Sequence, residues 1–110
     1  MRVFAVWEPI LASDLTAPSS LVLQRLKDVR VRQFWDPNHT LAARLAADAR
    51  PPQPKQHCCE KKGVLWDLAA VYPPGATWSD GLPAATFFDG PVVKQQTGLE
   101  AALTASASPY

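Results

Sequence analysis

Hydrophobic and polar positions change period several times along this 110-residue chain, and each change predicts an element. "RVFAVW" is rich in valine and aromatic residues, which predicts a buried strand over residues 2–7 that ends near Pro9. In "SSLVLQRLKD" the apolar residues Val22, Leu23 and Leu26 recur at helical spacing, with Lys27 late in the run where the helix dipole favours a cation. "VRVRQFW" alternates Val29, Val31 and Gln33 against Arg30, Arg32 and Phe34, the pattern of a strand with one partly wet face. "DPNHTLAARLAADAR" carries the clearest helix signal. Asp36 can cap it, Pro37 suits the first helical position, Leu41, Leu45 and Ala49 share one face, and Pro51 stops it.

The pattern then lapses. "PPQPKQHCCEKKG" has no periodicity and predicts a Pro-rich loop over about residues 50–63, long enough to be a functional excursion. "GVLWDLAAVY" predicts a strand, although a short helix fits it as well, and "PPGATWSDG" is turn chemistry. In the last third, two β-rich runs, Ala85 to Phe88 and Val92 to Val93, flank Asp89-Gly90 as a hairpin, and Leu99 to Leu103 begin a closing helix. Residues 1–105 are expected to form a single domain with a frayed tail at 106–110. Strand, helix, strand, helix, hairpin and helix in this order predict an α/β fold with a mixed sheet covered by helices on both faces.

Composition narrows the classes. With 47% hydrophobic and 19% charged residues the chain is globular in type. The net charge of +1 comes from scattered residues, without the basic stripe that would neutralise several phosphates, so nucleic acid is not an expected partner. Apolar runs such as "VFAVW" and "LAAVY" fall far short of the roughly 20 residues needed to span a bilayer, and no membrane association is expected. Glu8 and Pro9 interrupt the apolar start too early for a secretory signal, which points to the cytoplasm. There, two cysteines are more often thiols than a structural bridge.

"GLPAATFFDGPVV" resembles the segment of the thioredoxin-like family in which a cis proline leads into an apolar strand, a glycine turn and a second strand: here Pro83, Ala85 to Phe88, Gly90 and Val92 to Val93. "RVFAVWEPIL" is similar to the strand before the family's active site, and "VRVRQFWD" to its next parallel strand. The resemblance covers most of the chain through order and patterning, and implies a thioredoxin-like three-layer α/β/α sandwich with a mixed central sheet. It also implies a partner groove, which Trp78 and Pro83 would line for a protein or peptide, half-buried packing being the alternative for Trp78. The departure is chemical. "WEPILASDLTAPSS" holds no cysteine where the family carries Cys-x-x-Cys; Ser13 and Thr16 have the spacing, but hydroxyls form no disulfide and, without a base, are poor nucleophiles. Capping is the better account of both.

Both cysteines lie instead in "QHCCEKKG", as Cys58 and Cys59. Adjacent Cα atoms across a trans peptide are about 3.8 Å apart, whereas unstrained disulfides want roughly 4.4 to 6.8 Å. A bond between the two would be labile, suited to switching rather than support. Lys55, Lys61 and Lys62 lie near in sequence and favour the thiolate, the nucleophilic and metal-binding form. His57 adds a nitrogen, so His57, Cys58 and Cys59 form a candidate set for a soft metal ion, with zinc disfavoured because its usual paired spacings are missing. No cofactor is otherwise indicated. Disulfide, metal ligation and inert packing all remain open for the pair at this level.

The remaining features have plainer readings. His39 sits in the first turn of the second predicted helix as a neutral surface residue. Trp35-Asp36 and Trp66-Asp67 are too few for a propeller, whose blades need about 40 to 45 residues each. Glu8, Asp14, Asp67 and Asp80 are taken as exposed carboxylates. Two functions follow. In one, Cys58 and Cys59 form the working dithiol of an atypical thioredoxin-like protein engaged in thiol redox or soft-metal handling. In the other, a noncatalytic module binds a protein or peptide at Trp78 and Pro83.

Overall fold

The structure, a computed structural model, describes residues 1–10, 16–50 and 53–107. The chain divides into two compact units, Met1–Leu41 and Ala42–Tyr110. Both mix helix and strand, so the α/β expectation holds at that level.

The first unit is built on two parallel strands, β1 (Val3–Trp7) and β2 (Val31–Trp35), in register from Val3 opposite Val31 to Trp7 opposite Trp35. The alternation expected of β2 is present, whereas β1, expected to be buried, also leaves a face exposed, with Val3 at its start exposed as well. Ala5, Trp7, Val31, Gln33 and Trp35 are half-buried, while Phe4, Val6, Arg32 and Phe34 on the other face are exposed. Between the strands runs α1 (Ser20–Leu23), followed by a 3₁₀ turn over Gln24–Leu26. Ser19 caps α1 by accepting from the Val22 amide at 3.4 Å. Gln33 ties this helix to the sheet: its amide donates to the Leu23 carbonyl at 2.8 Å and its oxygen accepts from the Trp7 indole at 2.9 Å. Val29 stands outside β2 and is fully exposed, because the chain turns at Asp28, whose carboxylate accepts from the Arg30 amide at 2.8 Å.

Asp36 caps α2 (Thr40–Ala47) as expected, accepting from the Thr40 and Leu41 amides at 2.8 and 2.9 Å. Pro37, however, precedes the helix by three residues. The intervening turn is closed by a bond from the His39 amide to the Asp36 carbonyl, and His39 is left-handed at φ 55°.

The second unit departs more from expectation. The predicted loop contains a small hairpin, β3 (Glu60–Lys61) against β4 (Val64–Leu65), turned by Lys62 and Gly63 with φ of 54° and 76°. Two consecutive positive φ values are the signature of the tight two-residue hairpin turn. The strand expected over "GVLWDLAAVY" is split at Asp67, itself at φ 50°, and resumes as β5 (Ala69–Val71).

The hairpin predicted around Asp89-Gly90 does not form. Instead β6 (Phe87–Asp89) pairs antiparallel with β5, Val71 opposite Phe87 and Ala69 opposite Asp89. Residues 92–94 make a 3₁₀ turn rather than a returning strand. The donors explain why: the Gly90 amide bonds the Asp89 carboxylate, Pro91 has no N–H, and the Val92 amide donates to the Asp67 side chain at 3.1 Å. The cis proline also lies elsewhere than expected, at Gly90–Pro91 and not at Pro83.

The closing helix, α3 (Gln96–Ala107), begins three residues before the predicted start and packs on β5 and β6, with Gly98 against the Phe87 ring. Residues 106 and 107 are helical; the rest of the tail expected to fray lies outside the described residues. Leu65, Val71 and Phe88 form the buried centre of this unit, together with Cys59. Among the described residues the strands make three two-stranded ladders, not one mixed sheet.

Candidate functional site

Cys58 and Cys59 lie between Gln53 and the β3–β4 hairpin, and the anchors on either side determine what the pair can do. Gln53 is buried, and its side chain bridges main chain: Nε2 donates to the Pro83 carbonyl and Oε1 accepts from the Ala85 amide, both at 2.8 Å. On the other side the Trp66 amide donates to the Cys59 carbonyl at 3.0 Å, extending the β3–β4 pairing by one bond. The segment predicted as a Pro-rich loop is therefore anchored on either side of the cysteine pair.

Its two sulfurs are juxtaposed across a cis peptide. The cysteines differ in access. Cys59 is buried at 6% exposure and Cys58 is half-buried, so an incoming reagent meets Cys58 first. Lys61 and Lys62, on β3 and its turn, are exposed, as is Lys55.

His57 is held by Asp89, at the end of β6. The His57 amide donates to Asp89 Oδ1 at 2.6 Å, and its ring Nδ1 lies 2.5 Å from Oδ2. The Gly90 amide adds a third bond to Oδ1 at 2.9 Å. Asp89 is buried at 8% exposure, while the His57 side chain is largely exposed. Burial pushes the Asp89 carboxyl up, but the bonds from His57 and Gly90 outweigh it and leave the group below its ordinary range. The carboxylate thus stays ionised and acts as acceptor for both ring and backbone. Sequence inspection reads Asp89 only as a turn residue; its pairing with His57 spans 32 positions and leaves no local signal.

Other candidates fall elsewhere. Trp78 is half exposed, and Pro83 is half-buried with its carbonyl taken by Gln53. Neither lines the open recess of about 300 Å³ between the end of β5 and α3, which is bordered by Pro73, Pro74, Thr86, Ala102, Ala105 and Ser106. Asp80 offers its carbonyl to Arg44, which also pairs with Asp48 at 3.2 Å. Ser13 and Asp14 lie outside the described residues, and Thr16 is exposed. Among the described residues no three His, Cys, Asp or Glu side chains converge as a metal site, and no helix is long and apolar enough to cross a membrane.

In the first unit Glu8 and His39 form a contact that the sequence does not reveal, Nδ1 to Oε2 at 3.3 Å. Burial raises the Glu8 carboxyl above its ordinary value against the opposing pull of His39.

No protein-family model matches the chain, and neither the curated proteins nor the solved structures contain a match.

Proposed function

We propose that the protein is an atypical thiol–disulfide exchange protein in which Cys58 and Cys59 are the working couple. The observation that carries this reading is the asymmetric pair itself: two adjacent, juxtaposed sulfurs, one half-buried and one buried, beside a largely exposed histidine. A partner thiolate attacks the more accessible Cys58 sulfur, the Cys58–Cys59 bond breaks, and Cys59 leaves as a thiolate. A second thiol resolves the mixed disulfide. Two partner thiols become one disulfide, and the two electrons and two protons end on Cys58 and Cys59. His57 accepts a proton from the incoming thiol and returns it to a departing sulfur. A thioredoxin-like scaffold is the finer architectural reading, supported by element order in the parallel β1–β2 pair joined through α1 and the β5–β6 pair backed by α3.

The test is thiol titration with a chromogenic disulfide before and after reduction by a small thiol. The oxidised protein should expose no thiol and the reduced protein two, reoxidised together by a small-molecule disulfide, and C58S should abolish the fast reaction. Slow, independent reaction of two uncoupled thiols sinks the proposal.

A second reading rests on Trp78, half exposed in a segment without regular structure: a noncatalytic module that offers Trp78 to a protein or peptide. It requires that C58S/C59S leave partner capture intact and that W78A abolish it.

A further inference from the structure

The Asp89–His57 contact carries a consequence for the proton that thiol exchange must move. An ionised carboxylate has only lone pairs to offer. With Oδ2 lying 2.5 Å from Nδ1, the neutral imidazole must carry its proton on Nδ1, leaving Nε2 with the free lone pair. The same carboxylate accepts from the His57 main-chain amide at 2.6 Å, so ring and backbone are held against one buried group. His57 is bonded through its peptide to Cys58. Asp89 in turn sits at the end of β6, next to the buried Phe88 and facing Ala69 across the ladder, so the orienting group rests on paired strand rather than on the loop.

We infer that Asp89 is a positioning residue that fixes the His57 tautomer with Nε2 free, making His57 the proton acceptor and donor for exchange at Cys58–Cys59. The inference rests on the thiol-exchange reading for its chemistry, but its structural half stands alone. A purely architectural Asp89 would need only the two amide bonds to its Oδ1, from His57 and Gly90. The additional bond to the ring carries the role in proton transfer.

Asp89→Asn separates the two. Asparagine keeps one oxygen for both amides but presents an NH₂ where Oδ2 stood, so the ring must turn Nδ1 into an acceptor and carry its proton on Nε2. The first measurement is the two-bond ¹⁵N–¹H spectrum of the imidazoles at a pH where they are neutral, with His57 identified by its loss in H57A. The wild-type protein should show the Nδ1–H form at His57 and D89N the Nε2–H form. The second is the rate at which a small monothiol reduces the Cys58–Cys59 disulfide. D89N should slow it roughly tenfold to a hundredfold, up to the lower end of the roughly hundredfold to ten-thousandfold range of general acid–base effects, because the positioning residue is lost while the imidazole itself remains. H57A should slow it at least as much, and D89N/H57A should be no slower than H57A.

An Nε2–H wild-type ring overturns the inference even if D89N does not fold. So does a D89N that slows the reaction further in the absence of His57. If instead wild-type Cys58 and Cys59 do not cycle with small thiols at all, the exchange reading fails while the tautomer result still stands or falls separately.

Discussion

Gly90 lies with its Cα against the carbonyl oxygen of Asp67, so close that a β-carbon there would overlap the backbone. The contact brings the end of β6 onto the bend that splits β4 from β5, and the Val92 amide bonds the Asp67 side chain in the same place. Asp67 can present its carbonyl inward because it is in the left-handed region, at φ 50°.

Gly90→Ala is therefore expected to destabilise the second unit by about 1–3 kcal/mol, the usual cost of overpacking where backbone cannot retreat. Gly81 provides the control, since an added β-carbon there meets only ordinary contacts at 3.7 Å or more. G81A should unfold in urea within about 0.5 kcal/mol of the parent, as surface substitutions away from special features do. Equal midpoints for G90A and G81A would contradict the packing at Asp67.

Gln53→Ala should cost about 1–3 kcal/mol, because it leaves the Pro83 carbonyl and Ala85 amide without their partner. Gln53→Glu should be as harmful, since a carboxylate can accept from Ala85 but cannot donate to Pro83. Hydrogen exchange locates the effect: the Ala85 amide should lose protection in Q53A yet retain it in Q53E.

The acid limb of stability should depend on Asp89. Its folded value lies below the ordinary 3.8, so the unfolded chain binds the proton more readily. The contribution is present in full above about 3.8 and is lost as pH falls through the folded value. D89N, which has no charge to titrate, should show lower stability at neutral pH and a flatter decline below pH 3.8. Urea midpoints measured across that range decide the matter; parallel acid limbs for D89N and the parent would refute it.

Which parts were legible follows from how far each determinant reaches. The period of two in "VRVRQFW" is local, and β2 follows it, with Arg32 and Phe34 on the exposed face. Asp36 caps α2 from four residues away, within reach of a sequence rule. Asp89-Gly90 carries an equally local hairpin signal, yet its donors are claimed by the Asp89 side chain and by Asp67, 25 positions from Val92. At the candidate site the pair Cys58–Cys59 and the neighbouring His57 are visible as a string. Asp89, which orients the histidine, is not, because only the β5–β6 pairing brings it there.

Glu8 predicts a pH dependence of opposite sign in the first unit. Its side chain is only 11% exposed, and burial raises its carboxyl above the ordinary 4.5 in spite of His39. A raised folded value means that the folded protein holds the proton more tightly than the unfolded chain. Stability contributed by the protonated group is therefore full below about 4.5 and falls as pH rises through the folded value. Glu8→Gln keeps an oxygen to accept from His39 Nδ1 but removes the charge that burial penalises. E8Q should thus gain stability relative to the parent at neutral pH and lose that advantage on acidification below 4.5, where the parent's Glu8 is protonated as well. Fluorescence in urea, read in a W66F/W78F background that leaves Trp7 and Trp35 as the remaining tryptophans, reports on this unit's strands. If E8Q proves less stable than the parent at neutral pH, the ion pair with His39 outweighs the burial of Glu8, and the sign assigned to its shift is wrong.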